Sequence, residues 1–328
     1  MNIEKLKHSL AALDSNPPSF AANPKRHKMF LDIGQFLEAS VRAGQALDLR
    51  AQNPNPVWQA IEPRLARALE SADETDLARN EVAAWQMYND GVIVRTDEIA
   101  IGLDVIPMPR FFGWPEPPKL TERIAELLDL LVITHAHEDH YDRALVRACL
   151  RMGKPVLMPE PMAGEWGQDA NLHPVSHGWE LEIDDLHITG RAGCHVWRDT
   201  PEELPLVYYE IRCQEGYTFV FGGDVDYTKT FEKTRGRAID LLFLPWRNPN
   251  AAYEEGRPEQ TGTTFDAVRI ALDKIEPAAL LYEHCAELNH VYDGFPASFD
   301  MALDLKQRIP VPSELMFWGE QIALAPRT

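Results

Sequence analysis

Cysteine is scarce in this chain, and its spacing excludes two common kinds of site. The 328 residues contain only Cys149, Cys194, Cys213 and Cys285, and no two of them form a Cys-x-x-Cys pair. A disulfide framework or a cysteine-based zinc site would need paired thiols at characteristic spacings. We therefore expect reduced cysteines that ligate no metal.

Basic residues and long apolar runs are also in short supply. Lys and Arg number 32 against 51 Asp and Glu, and the resulting net charge of -19 repels a phosphate backbone. The N-terminus lacks the apolar core of a signal peptide, and no run approaches the roughly 18 apolar residues that span a bilayer. We expect no nucleic-acid partner, no stable membrane insertion and a cytoplasmic location, and we leave a homo-oligomer open.

What is present is enough apolar sequence for a sizeable core. Hydrophobic residues make up 45% of the chain, and its length fits one large domain with an extension. Residues 1–84 are predicted to form a helical extension, and residues 85–328 a second domain in which strands dominate. One apolar face of the extension is expected to be buried against the rest of the chain. It consists of Phe30, Ile33, Leu37 and Val41.

A dense group of metal-binding side chains follows the apolar run at residues 130–133. His135, His137, Asp139 and His140 form the pattern H-x-H-x-D-H between a predicted strand and a predicted helix. In an extended chain residues two apart point the same way, so His135 and His137 can bind one ion while Asp139 and His140 turn toward a second. The alternatives are a surface histidine cluster or a closed structural zinc site, which usually takes four ligands, often cysteine.

Further candidates stand directly after other predicted strands. His195, Asp224 and His284 each follow an apolar strand, and Asp104 closes an earlier one. Strand ends meet along one edge of a sheet sandwich, so residues far apart in sequence can converge there. His290 is the alternative to His284. The sequence therefore predicts one site assembled from several strand ends.

These motifs resemble those of the metallo-β-lactamase superfamily, and the resemblance covers about residue 85 to the C-terminus. It implies an α/β fold, an αββα sandwich, with the N-terminal helical extension added to it. It also implies two metal ions at one edge of the sheets. One would be held by His135, His137 and His195, the other by Asp139, His140 and His284, with Asp224 bridging them and Asp104 in support.

Within the superfamily, the layout is similar to the branch that contains ascorbate-6-phosphate lactonase and N-acyl phosphatidylethanolamine phospholipase D. The shared features are His195 followed closely by Trp197 and Arg198, a Gly-Gly-Asp strand end, and a helix before the last histidine strand. Arg198 and Arg247 are candidate substrate-binding residues. Each lies shortly after a strand end beside a tryptophan, which suits an apolar wall with a charged tip.

The resemblance implies a dinuclear metal-dependent hydrolase. Two ions roughly 3.5–4 Å apart lower the pKa of a bridging water toward about 7 and supply hydroxide. The expected substrate is small and anionic, with an ester, lactone or phosphodiester bond, and Asp139 and Asp224 are the expected catalytic carboxylates. Zinc is the first expectation for the two divalent ions, with manganese or iron as alternatives.

Two other functions stay open at this point. One is a di-iron oxidoreductase on the same scaffold, although the flavodiiron proteins of the superfamily carry Glu where this chain has His137. The other is a non-catalytic metal-binding or regulatory protein. All seven predicted ligand positions carry His or Asp, which argues against a vestigial site.

Overall fold

The structure, a computed structural model, describes most of the chain. It covers residues 3–42, 44, 48–50, 55–79, 81–117, 119–184, 186–195, 204–213, 216–233, 238–246, 261–294, 297 and 299–324.

Two seven-stranded mixed sheets form the centre of the molecule. The first sheet has the order β14-β1-β2-β3-β4-β5-β6, and the second has the order β13-β12-β11-β10-β9-β8-β7. The strands are β1 (Val82–Gln86), β2 (Val92–Arg95), β3 (Ala100–Leu103), β4 (Leu130–Val132), β5 (Val156–Pro159), β6 (Leu172–Val175), β7 (Trp179–Ile183), β8 (Leu186–Gly193), β9 (Leu206–Cys213), β10 (Thr218–Phe221), β11 (Ile239–Pro245), β12 (Pro277–Glu283), β13 (Ser313–Leu315) and β14 (Gln321–Leu324).

The direction of the strands determines which loops can share an edge. In the first sheet β3, β4, β5 and β6 are parallel neighbours. In the second sheet β8 and β9 are antiparallel, β9 and β10 are antiparallel, and β10, β11 and β12 are parallel. The ends of β8, β10 and β12 therefore lie at one edge, and so do the ends of β3 and β4.

Helices cover the outer faces of the sheets. They are α1 (Ile3–Asp14), α2 (Pro24–Val41), α3 (Pro56–Glu74), α4 (Leu120–Leu127), α5 (Arg143–Arg151), α6 (Glu160–Ala163), α7 (Thr261–Ile275), α8 (Leu288–Tyr292) and α9 (Phe299–Arg308). One apolar cluster combines side chains of both sheets, and a second combines sheet and helix side chains. The predicted αββα sandwich with N-terminal helices is confirmed. Among the helices described here, none is long and apolar enough to cross a membrane.

The N-terminal helices pack on the sheets and on α9. The predicted apolar face is buried, and the Phe30 ring lies 4.9 Å from the ring of Phe299. Arg26 forms a bidentate ion pair with Glu320, at 2.7 and 2.8 Å, and both side chains are almost fully buried. Buried charges persist only when they are paired and hydrogen-bonded, so this pair ties α2 firmly to the C-terminal strands.

Candidate metal centre

All the predicted metal ligands converge at the edge where the strand ends meet. His135 follows β4, His195 follows β8, Asp224 follows β10 and His284 follows β12. The antiparallel bridge between His195 and Val225 brings the ends of β8 and β10 together. The backbone N–H of Val207 donates to the carbonyl of Thr134 over 3.0 Å, which joins the two sheets beside the motif.

One half of the site is rich in nitrogen, and we call it the histidine triad half. It consists of His135, His137, His195 and Asp224, whose ligand atoms all lie within 4.8 Å of one another. The ring centroid of His137 lies 4.6 Å from that of His135 and 4.6 Å from that of His195. Oδ2 of Asp224 lies 3.6 Å from Nε2 of His195.

A close backbone approach orients the first histidine. Gly223 has φ +54°, and a Cβ there would lie 2.8 Å from Cβ of Thr134. Only glycine tolerates both conditions. Thr134 in turn contacts Asp104 with its hydroxyl, and this hydroxyl lies 3.0 Å from Nδ1 of His135. Nε2 of His135 consequently points into the group.

The other half of the site is rich in carboxylates, and we call it the carboxylate half. Nε2 of His284 lies 2.9 Å from Nε2 of His140, so two ring nitrogens face each other. Nδ1 of His140 lies 2.7 Å from Oδ2 of Asp104. Asp139 accepts a 3.2 Å hydrogen bond from Asn89, and its Oδ2 lies 3.8 Å from Nε2 of His140.

Asp224 lies between the two halves. Its Oδ1 is 3.3 Å from Nε2 of His284, and its Oδ2 is 3.8 Å from Nε2 of His140 and 3.6 Å from Nε2 of His195. One carboxylate oxygen thus faces the carboxylate half while the other is shared. This position is the one a bridging ligand would need, and its ligand role stays a prediction.

Sequence reasoning missed two buried carboxylates of the carboxylate half. Asp90, in the turn between β1 and β2, is 0% exposed, and its carboxylate lies 3.3 Å from Nδ1 of His140 and 3.6 Å from Nε2 of His284. Glu287 contacts Nδ1 of His284. A turn residue gives no sign of burial in sequence, whereas a Glu three positions after a presumed ligand histidine was a usable signal.

The ionisation of the histidines differs between the halves. Burial, together with the positive charge of the neighbouring His140, holds the pKa of His135 well below its ordinary value. Burial and the neighbouring His195 lower the pKa of His137 to about 4. The imidazoles of His135 and His137 are thus neutral, which is the form that binds a cation.

In the carboxylate half the carboxylates outweigh burial. Burial disfavours the charged form of His284, but Glu287, Asp224 and Asp90 raise its pKa to about 10. Asp139 and Asp104 likewise raise the pKa of His140 well above its ordinary value despite burial. This half attracts a positive charge strongly.

The residues present fit bound cations. Nε2 of His135 is buried and makes no hydrogen bond to any described residue. His140 and His284 direct their Nε2 atoms at each other while their Nδ1 atoms are held by carboxylates, an arrangement typical of metal-ligating histidines. His, Asp and Glu in these proportions suit zinc, iron or manganese.

Not every predicted residue can be placed. Arg198, Arg247 and Trp197 lie outside the described residues. His290, the alternative to His284, lies on α8 and contacts Glu287, so its closest described carboxylate is shared with His284. None of the four cysteines, all of which are described, takes part in a disulfide.

Comparison with known proteins identifies the family. The sequence profile of the β-lactamase superfamily domain matches residues 80–257, more than half of the chain. The chain belongs to this superfamily. The superfamily membership inferred from the H-x-H-x-D-H motif is thereby confirmed, while the proposed branch stays a prediction.

The individual relatives are distant. A UPF0173 metal-dependent hydrolase of Koribacter versatilis (strain Ellin345) is 26% identical over 149 residues, which are 44% of this chain and 61% of that protein. This chain therefore aligns with less than two thirds of that relative's length.

Solved structures show the same fold at low sequence identity. Igni18, a metallo hydrolase of Ignicoccus hospitalis KIN4/I, matches with a TM-score of 0.54 at 16% identity, covering 75% of this chain and 100% of its own. CmlA, a diiron β-hydroxylase of Streptomyces venezuelae, matches with a TM-score of 0.52 at 15% identity, covering 76% of this chain and 55% of its own.

Proposed function

We propose that this protein is a metal-dependent hydrolase that uses two divalent ions to cleave an ester, lactone or phosphodiester bond in a small anionic molecule. The observation that carries the proposal is the convergence of His135, His137, His195 and Asp224 within 4.8 Å, beside a second histidine pair. Membership of the β-lactamase superfamily and a relative named as a metal-dependent hydrolase support it.

The residues of the chain would divide the work between the two halves. His135, His137 and His195 would hold one ion, and His140 and His284 the other together with Asp139. Asp224 would contact both, because its oxygens face both halves. When bound, the two ions would acidify a water molecule and polarise the bond attacked.

The polar contacts around the ligands would keep this arrangement fixed. Asp104 orients His140 through Nδ1, and the amide of Asn89 orients Asp139. Such supporting hydrogen bonds hold a ligand in one direction and increase its basicity. The geometry would thus be largely set before any ion or substrate arrives.

A small anionic substrate agrees with the charge of the chain. A net charge of -19 disfavours a long phosphate backbone, whereas a small anion needs only the metals and one or two cations. Arg198 and Arg247 are our candidates for these cations. The branch that contains ascorbate-6-phosphate lactonase and N-acyl phosphatidylethanolamine phospholipase D is the corresponding proposal for substrate class.

The test combines metal analysis with a screen of hydrolysis. The purified protein, loaded with zinc or manganese, is assayed against lactones, carboxylic esters and phosphodiesters. RNA and DNA are assayed as further substrates. We expect about two ions per chain and turnover of a small substrate that chelation abolishes. Arg198→Ala and Arg247→Ala should raise KM without loss of metal, because each removes a ground-state contact. Efficient cleavage of RNA or DNA would contradict the small substrate.

An iron-dependent oxidation is the second candidate. The observation in its favour is the donor set itself, since His, Asp and Glu ligands also suit iron, and CmlA, a diiron β-hydroxylase, has the same fold. Iron content together with oxygen consumption, and no hydrolysis by the zinc form, would favour oxidation. Absence of metal after careful purification and reloading would instead favour a non-catalytic protein.

A further inference from the structure

Glu287 occupies a position where a side chain usually caps a helix, yet it does something else. It is the residue directly before α8, and its side chain makes no capping hydrogen bond. Acidic and polar side chains at this position normally accept from the first free N–H groups of the helix. Here the hydroxyl oxygen of Tyr88 accepts from the N–H of Leu288 over 3.3 Å.

The carboxylate of Glu287 lies between two histidines instead. It is 3% exposed, and one oxygen contacts Nδ1 of His284 while the other contacts Nδ1 of His290. Nε2 of His284 is thereby directed toward Nε2 of His140 at 2.9 Å and Oδ1 of Asp224 at 3.3 Å. His284 itself has φ +58°, a backbone conformation that residues other than glycine rarely adopt.

We infer that Glu287 is a positioning residue for the metal centre: it holds the ring of His284 so that Nε2 faces the carboxylate half. The inference rests on the proposed function, since His284 is a proposed metal ligand. Asp104 has the equivalent place beside Nδ1 of His140. Carboxylates in this position typically contribute about 10–100-fold to metal affinity.

The experiment measures zinc affinity, with no substrate present, in three variants of the full chain. Glu287→Ala should weaken binding of one ion by about 10–100-fold and leave the other unchanged. Glu287→Gln keeps an oxygen that can accept from Nδ1–H and should restore most of the loss. His290→Gln is the matched control, because it alters the other side of the same carboxylate without touching His284.

A spectroscopic measurement separates positioning from a general structural role. In the zinc-loaded wild type, the Nδ1–H proton of His284 should appear as a low-field resonance that exchanges slowly, because it is donated to a buried carboxylate. The resonance should disappear in Glu287→Ala and return, shifted, in Glu287→Gln. Its persistence in Glu287→Ala would overturn the inference.

The affinities give two further outcomes against it. Two ions bound by Glu287→Ala with wild-type affinity would overturn the inference, and so would an equal loss in His290→Gln, since the effect would then come from the packing of α8. Failure of the proposed function would look different: the wild type would bind zinc normally and hydrolyse nothing.

Discussion

The two halves of the metal centre are built from the same side chains in opposite proportions. The histidine triad half combines three imidazoles with Asp224, and the hydroxyl of Thr134 lies 3.0 Å from Nδ1 of His135. In the carboxylate half His140 and His284 are surrounded by acidic side chains. These are Asp90, Asp104, Asp139, Asp224 and Glu287.

This difference in composition sets the protonation of the histidines in each half before a metal binds. The lowered pKa values of His135 and His137 leave neutral ligands that an ion can bind directly. The raised pKa values of His140 and His284 mean that protons neutralise the carboxylates there. A cation entering the carboxylate half must displace protons, whereas one that binds His135 and His137 need not. The proposed two ions would therefore be held by different electrostatics.

The largest effect is expected where the halves meet. Asp224→Ala should abolish hydrolysis and weaken the binding of at least one ion, because Asp224 faces both halves. The loss of affinity should exceed the roughly 100-fold that the loss of a supporting contact costs. Elemental analysis and a turnover assay measure this. Asp226→Ala is the control two residues away, since Asp226 accepts from Thr228 instead. Full turnover by Asp224→Ala would show that the proposed ions do not depend on Asp224.

A large loss of stability is expected when the buried ion pair between Arg26 and Glu320 is broken. Arg26→Ala leaves Glu320 buried without its partner, which should cost about 3–5 kcal/mol in the free energy of unfolding. The backbone of Glu320 accepts from Gln86, whose side chain holds the turn that carries Asp90. Urea unfolding measures the change. Lys28→Ala, which breaks an exposed pair with Asp32, is the control and should cost well under about 1 kcal/mol.

The same contrast explains what the sequence could and could not predict. The histidine triad half follows from the motif and from two strand ends, because strand direction brings His135 and His195 to one edge. The carboxylate half was only partly predictable, since Asp90 reaches it from a hairpin turn. Asp90 follows β1, which pairs with β14 from the other end of the chain, and that long-range pairing is not visible in the local sequence.

The strands showed a similar division. The strands that precede His195 and His284, β8 and β12, are long apolar or alternating runs, and both form as the sequence predicts. The short strands β6, β13 and β14, of three or four residues each, have no such pattern. Pro174 interrupts the apolar pattern of β6, and β13 is paired with β12. Their sequences hold too few side chains for a periodic signal, so the partner strand decides the conformation.

The pH dependence of metal binding should separate the halves. Since His284 has its pKa raised to about 10, it holds a proton throughout the neutral range, and a cation bound there must release it. Affinity of that ion should fall about tenfold per pH unit for each proton released, or roughly 100-fold from pH 8 to pH 6 for the proton of His284 alone. The ion in the histidine triad half should change little, because the pKa of His137 is about 4.

Zinc titrations at pH 6, 7 and 8 in non-coordinating buffers measure both affinities. At pH 6 we expect the ion in the histidine triad half to bind tightly and the ion in the carboxylate half to bind weakly. Parallel changes of the two affinities with pH would show that the halves do not differ in the way their carboxylates suggest.

The smallest effect is expected from the carboxylate that only the structure revealed. Asp90→Asn removes one negative charge 3.6 Å from Nε2 of His284 while it keeps the shape of the side chain. The pKa of His284 should then fall, because Asp90 is one of the groups that raise it. Two consequences follow for the carboxylate half. Its ion should bind about 10-fold more weakly at pH 8, and the decline toward pH 6 should become shallower. Asp97→Asn, in the turn between β2 and β3, is the matched control at the other end of the hairpin. Weaker binding of the ion in the histidine triad half would show that Asp90 affects the whole site through the turn and not only the histidines beside it.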